Sequence, residues 1–148
     1  AGFVFGYDAD DPDCFEATWD FIQRHGFFIV NSNHLQPYPG TPLYARLQTE
    51  GRLVHHRWWL DPDYRFGDVV FEPRGMSAEQ LTRGCAELRA RVHGLGGILR
   101  RMRSNSLANA SSAHRALLYL VANLVSRNDI GRKRALSLGH GDTSEGAR

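Results

Sequence analysis

The sequence predicts an α/β fold, and three observations lead to that prediction. Two short apolar segments, Gly2–Tyr7 and Phe27–Val30, have the character of buried strands. Between them, apolar residues recur at helical spacing at Phe15, Trp19 and Ile22. Strand, helix and strand within ~30 residues form a βαβ unit, and strands that are apolar on both faces are typical of a parallel sheet covered by helices.

The first helix has recognisable start and stop signals. Asp11 is a candidate N-cap, Pro12 suits the first helical position, and Gly26 ends the helix. Acidic residues crowd the first turn, where the helix dipole favours them.

The second strand is followed by a polar loop, residues 31–41, which contains the rigid turn Pro37-Tyr38-Pro39-Gly40. Thr41 then caps a short helix that Pro42 begins and Gly51 closes, with an apolar face of Leu43, Tyr44 and Leu47. The loop therefore lies at the carboxyl end of a parallel strand, which is where α/β sheets and barrels bind ligands.

The second half of the chain is predicted to be mainly helical. Residues 52–67 are irregular and aromatic, and Asp68–Pro73 could form an edge strand. A capping box of Ser77 and Gln80 begins a long helix. The helix carries an apolar stripe, which is most simply explained as a packing surface: Leu81, Cys85, Leu88, Val92, Leu95, Leu99 and Met102. Gly94, Gly96 and Gly97 weaken the helix midway. A last helix is predicted at about 112–127, and residues 131–148 are expected to be a disordered tail.

Composition limits the class of protein. A chain of 148 residues that is 42% hydrophobic is long and apolar enough for one folded domain, or for one part of a larger one. Two cysteines, Cys14 and Cys85, cannot form a disulfide framework or a cysteine-based zinc site, and they favour reduced thiols in the cytoplasm. From the sequence we expect no membrane span and no signal peptide. Because it starts without Met and directly in a strand, we expect a piece of a longer chain.

Charge is distributed unevenly along the chain. Residues 1–20 contain six acidic residues and no basic one, whereas residues 81–148 contain twelve basic against four acidic residues. A basic half can bind nucleic acid, but no aromatic residues alternate with these arginines as a stacking platform requires. A solvated helix face with a basic tail is the simpler interpretation, so nucleic acid is not the predicted partner.

The familiar catalytic and metal-binding patterns are missing. His55 and His56 with Asp61 and Asp63 offer ligands for zinc or iron, but adjacent histidines point apart in a strand, which favours surface or substrate-loop histidines. Residues 94–97 lack the Gly-Lys-Ser/Thr end of a phosphate loop, and no Gly-x-Ser-x-Gly elbow indicates a hydrolase.

Two segments resemble a known family. Gly2-Phe3-Val4-Phe5-Gly6-Tyr7-Asp8 and the following Asp13–Thr18 are similar to the fifth strand and helix of the radical S-adenosylmethionine (radical SAM) barrel, with Ala9 where that family has Glu. Gln36-Pro37-Tyr38-Pro39-Gly40-Thr41-Pro42-Leu43-Tyr44 is similar to the segment after the sixth strand, in the form typical of the branch with a cobalamin-binding domain. Asp68–Pro73 and Met76–Leu81 resemble the carboxyl-terminal extension of that branch, so the resemblance covers residues 1–103.

The resemblance implies a set of cofactors and candidate residues. The family uses S-adenosylmethionine and a [4Fe–4S] cluster for radical C–H abstraction, and its cobalamin branch commonly transfers a methyl group. This chain lacks the Cys-x-x-x-Cys-x-x-Cys cluster motif, so by itself it is expected to be inactive. The resemblance assigns S-adenosylmethionine contacts to Val4, Gly6, Leu35, Gln36 and Pro37. The aromatic residues Trp58, Trp59 and Tyr64 are candidates for a lid or substrate wall, or for structural cover of the barrel's open edge.

The resemblance also divides the chain. Residues 1–51 would be the last βα units of a partial barrel, residues 52–130 a helical extension, and residues 131–148 the tail. The predicted function is the carboxyl-terminal part of a cytoplasmic, cobalamin-dependent radical SAM enzyme that acts on a small molecule. Its partner would be the missing amino-terminal half of the barrel. The alternative is a stand-alone, non-catalytic binding module left by truncation.

Overall fold

The structure is a computed structural model that describes residues 1–54, 57–61, 63–105 and 110–133. Two strands, β1 and β2, five helices, α1 to α5, and one short 3-10 helix follow one another along these residues. In chain order they are β1 Gly2–Phe5, α1 Cys14–His25, β2 Asn31–His34, α2 Pro42–Thr49, the 3-10 helix Trp58–Leu60, α3 Ala78–His93, α4 Leu95–Ser104 and α5 Ala113–Lys133. The predicted α/β class is confirmed, whereas a partial barrel is not established by these two strands.

The βαβ unit is confirmed, but its second strand lies later in the chain than predicted. Strands β1 and β2 pair in parallel, from Gly2 opposite Asn31 to Phe5 opposite His34. The prediction of a strand at Phe27–Val30 was wrong, because those residues connect α1 to β2 and supply apolar side chains to the core. Val30 is fully buried and Phe27 packs against the core, whereas Phe28 and Ile29 are exposed.

One face of the sheet is covered and the other is open. Phe5 is buried between the sheet and the helices, and Ser32 on β2 is buried too. Val4 and its neighbour Asn33 are exposed on the opposite face. Because side chains alternate along a strand, this exposed pair marks the open face of the sheet.

The main core lies between the covered face of the sheet, α1 and α3. It includes Phe5, Ile22, Leu81 and Leu88, all nearly inaccessible to solvent. The capping box at Ser77 is confirmed, since Ser77 Oγ accepts from the Gln80 backbone N–H and Gln80 Oε1 accepts from that of Ser77.

The predicted long helix is two helices. Gly94 has extended backbone angles and separates α3 from α4. A side chain at Gly97 would stand 2.2 Å from the Arg91 carbonyl oxygen, so the corner needs a glycine there. The apolar stripe therefore does not continue across the break, and Leu95 and Leu99 are 56% and 48% exposed.

Two further predictions about the second half are corrected. Asp68–Pro73 makes an isolated antiparallel bridge, Leu53 to Phe71, rather than an edge strand. Helix α5 continues beyond residue 127 to Lys133, so the first three residues of the predicted tail are helical. Residues 134–148 of that tail lie outside the described residues.

Candidate functional site

A cavity of about 560 Å³ opens beside the carboxyl ends of the two strands. Its walls come from the open face of the sheet, the loop after β2, the aromatic segment and helix α3. The lining residues are Val4, Asn33, His34, Gln36, Tyr38, Trp58, Tyr64, Phe66, Gly67 and Arg89. The cavity therefore joins residues from both of the segments that the sequence singled out.

A chain of hydrogen bonds organises the polar side of the cavity. Gln36 Nε2 donates to the Tyr64 hydroxyl at 3.2 Å, and Gln36 Oε1 lies 3.2 Å from His34 Nε2. Burial lowers the pKa of His34, as does the nearby Arg89 cation, so the neutral imidazole is favoured. Burial likewise raises the pKa of Tyr64, so its hydroxyl stays protonated.

The aromatic wall is held in place by a short stretch of local structure. The 3-10 helix Trp58–Leu60 is followed by a turn in which the Tyr64 N–H donates to the Asp61 carbonyl at 3.1 Å. Trp58 and Tyr64 pack with ring centroids 4.9 Å apart and bury Val70 between the segment and the core. The Trp58 indole N–H is buried and has no hydrogen-bond partner among the described residues.

Two of the five predicted cofactor residues line the cavity, namely Val4 and Gln36. Gly6 is buried and has a φ of +98°. A side chain at this position would collide with Leu81 and Phe71. Leu35 packs against the main core, and its N–H extends the sheet by donating to the Phe5 carbonyl at 2.8 Å. Pro37 is buried in the turn that follows. A cofactor role stays a prediction for all five residues.

Two of the three predicted substrate residues also line the cavity, namely Trp58 and Tyr64. Trp59 lies behind them, edge-on to Trp58 at 5.7 Å and 6.2 Å from the Tyr44 ring of α2. It therefore joins the aromatic wall to the short helix α2.

Arg89 is the site residue that sequence reasoning missed. It is only 9% exposed, and its Nε donates to the Ser32 carbonyl of β2 at 2.9 Å. The available signal was its position, because Arg89 stands four residues after Cys85 and eight after Leu81, on the buried side of α3. A basic residue within an apolar stripe indicates a specific role for its charge.

The described residues do not fit an iron–sulfur cluster. They contain no group of three His, Cys, Asp or Glu side chains that could hold a metal ion. Burial raises the pKa of both Cys14 and Cys85 to about 11, which opposes the thiolate that a cluster needs. His55 and His56 of the candidate metal set lie outside the described residues.

The site defines an α/β protein with a ligand-sized cavity at the carboxyl ends of parallel strands. Sequence comparison relates it to two enzymes. The chain is 30% identical over 105 residues to the bacteriochlorophyllide d C-12(1)-methyltransferase of Chlorobaculum tepidum, which is 71% of this chain and 22% of that enzyme. It is 44% identical over 55 residues to the hopanoid C-2 methylase of Rhodopseudomonas palustris, which is 37% of this chain and 10% of that enzyme.

These matches establish a distant and partial relationship to two enzymes named for methyl transfer. The chain spans about a fifth of the length of the first relative and a tenth of the second. No family model matches the chain, and no solved structure matches it. The described residues include no helix that is both long and apolar enough to cross a membrane.

Proposed function

We propose that this chain is the carboxyl-terminal part of a cytoplasmic radical SAM methyltransferase that depends on cobalamin and acts on a small molecule. In this proposal residues 1–51 complete the barrel and residues 52–130 form the extension that closes it. The [4Fe–4S] cluster and the cobalamin would be held by a part of the enzyme that precedes this chain. The described residues contain no group of three His, Cys, Asp or Glu side chains that could hold a metal ion. In this proposal the chain binds and shields the reactants.

The observation that carries the proposal is the shared cavity. Val4 and Gln36 belong to the strand ends that resemble the S-adenosylmethionine site, while Trp58 and Tyr64 belong to the candidate substrate wall. All four line one space, which is the arrangement that a reaction between cofactor and substrate requires. The partial relationship to two methyl-transferring enzymes supports the same class of chemistry.

The cavity suits part of S-adenosylmethionine in its chemistry. In the loop after β2, Tyr38 offers an aromatic face and Gln36 offers an amide. Such walls suit a flat heterocycle such as adenine. When bound, S-adenosylmethionine supplies the radical or the methyl group, and the residues of this chain orient it and exclude water.

The test uses the complete protein that the native gene encodes, purified without oxygen and supplied with iron, sulfide and cobalamin. We expect it to cleave S-adenosylmethionine and to bind it in calorimetry. Gln36→Leu should weaken that binding by about tenfold, since it removes a polar contact in the cavity.

Gln48→Leu is the matched control, because Gln48 is exposed on α2. It should leave the affinity unchanged. A complete protein that carries no iron–sulfur cluster, or that leaves S-adenosylmethionine intact, would contradict the proposed function.

A further inference from the structure

We propose that Arg89 anchors the carboxylate of the molecule that fills the cavity, and that this molecule is otherwise flat and largely apolar. The inference names a substrate class for the site above and in that sense rests on the proposed function. Its own evidence is the placement of one buried cation against an aromatic wall.

Arg89 is fixed in position before any ligand arrives. Its Nε donates to the Ser32 carbonyl at 2.9 Å, and the residue is only 9% exposed to solvent. This bond ties α3 to β2 and leaves the guanidinium between two cavities, both of which Arg89 lines. A guanidinium held in this way is preorganised for a planar, bidentate acceptor such as a carboxylate.

Arg89 is buried, and its charge is not balanced by a carboxylate of the described residues in the way that four more exposed arginines are. In the part of the chain that the structure describes, Arg46, Arg52 and Arg74 pair with Asp8 or Glu50, and Arg91 pairs with Glu16. No ion pair within the described residues includes Arg89. A buried cation without a carboxylate is costly, and arginine does not lose its proton. A ligand anion would offset that cost.

The surroundings select the side from which the anion comes. The smaller cavity beyond Arg89, about 250 Å³, has Asp129 in its lining and would disfavour a second negative charge. The larger cavity, about 560 Å³, has no acidic residue in its lining. The anion is therefore expected on the side of Tyr38, Trp58 and Tyr64.

The rest of the larger cavity describes the body of the ligand. Trp58, Tyr64 and Phe66 give it an aromatic wall. Its volume exceeds that of a carboxylate many times over, so an extended ring system is expected next to the charge.

The test compares two probes on the 148-residue chain, 1-pyrenebutyrate and the neutral 1-pyrenebutanol, by calorimetry and by quenching of tryptophan fluorescence. We expect the carboxylate to bind about tenfold more tightly than the alcohol, because a charge-assisted hydrogen bond is worth about that factor. Arg89→Gln should remove the preference. Arg83→Gln removes a charge from the same helix at an exposed position and should preserve it.

Several results would overturn the inference: equal affinity for the two probes, no binding of pyrenebutyrate, or a preference that survives in Arg89→Gln. If Arg89→Gln does not fold, the preference of the unmodified chain and its retention in Arg89→Lys decide the matter. S-adenosylmethionine is titrated in parallel, since it also has a carboxylate. Arg89-dependent binding of S-adenosylmethionine without a pyrene preference would assign the anion to the cofactor and overturn the substrate inference.

The two proposals can fail separately. A complete protein that cleaves S-adenosylmethionine while the chain shows no pyrenebutyrate preference refutes the inference and leaves the function standing. A clear Arg89-dependent preference in a protein that never cleaves S-adenosylmethionine refutes the function and leaves a carboxylate-binding site.

Discussion

Single residues determine how closely two helices of this fold can pack, and Gly84 of α3 is the clearest example. A side chain at Gly84 would stand 2.2 Å from the ring of Phe15 on α1, and that ring packs on Phe5 at 4.8 Å between centroids. We expect Gly84→Ala to lower the free energy of unfolding by about 1–3 kcal/mol, because Phe15 must move out of a packed core. Urea denaturation measures the change.

Gly96 provides the matched control for that prediction. It also lies in a helix, α4, but a side chain there would meet no atom within 4 Å. Gly96→Ala should therefore raise the free energy of unfolding by up to about 1 kcal/mol through helix propensity alone. If both substitutions shift stability in the same direction, close packing of α1 on α3 is not what Gly84 serves.

Among the elements, helix α5 is unusual because it buries two polar side chains and exposes several apolar ones. Tyr119 and Asn123 face the core, at 0% and 1% exposure, while Leu117 and Val125 are about 60% exposed. Asn123 accepts from Arg101 at 2.8 Å and donates to the Phe28 carbonyl at 2.9 Å. A hydrogen-bonded contact, rather than an apolar stripe, thus holds this helix.

Removal of that contact is the prediction at this scale. Asn123→Ala leaves the Phe28 carbonyl and one Arg101 hydrogen-bond donor without their Asn123 partner, and we expect a loss of about 2–3 kcal/mol in the free energy of unfolding. Asn128→Ala, at an exposed position of the same helix, should cost less than about 0.5 kcal/mol. Equal midpoints for the two variants in urea would show that α5 does not depend on the network.

The sequence predicts those elements well whose position is set by neighbouring residues in the chain. Caps and stops such as Ser77 and Gly26 are local, and both were predicted correctly. The predicted cap at Asp11 was wrong, because α1 begins at Cys14 after Asp13. The position of β2 and the break at Gly94 depend on what the rest of the fold buries. The periodicity of the sequence placed β2 too early and predicted one helix across Gly94. In the site, the resemblance supplied Gln36 and the aromatic segment supplied Trp58 and Tyr64 as candidates, and all three line the cavity. Arg89 was not predicted as a site residue, because only the folded structure places its helix against β2.

For the molecule as a whole, buried imidazoles should make stability depend on pH before the carboxylates titrate. Burial lowers the pKa of His93, as do the cations Arg101 and Arg89, and burial with Arg89 likewise lowers the pKa of His34. The unfolded chain then binds more protons than the folded one below a pH of about 6.5, so the free energy of unfolding falls as pH drops through that range. The lowered carboxylate pKa values of Asp8, Glu16 and Glu50 add a second loss at lower pH.

We therefore expect the urea midpoint to decrease between pH 7 and pH 5, and we expect His93→Gln to flatten part of that decrease. The glutamine cannot be protonated, so the variant no longer has to bury an imidazole that gains a proton on unfolding. His114→Gln, at an exposed position of α5, should leave the slope unchanged. A midpoint that stays constant between pH 7 and pH 5 would mean that the cluster of Arg89, Arg101 and the two histidines tolerates the extra charge. The positive region beside the cavity would then be better solvated than its burial indicates.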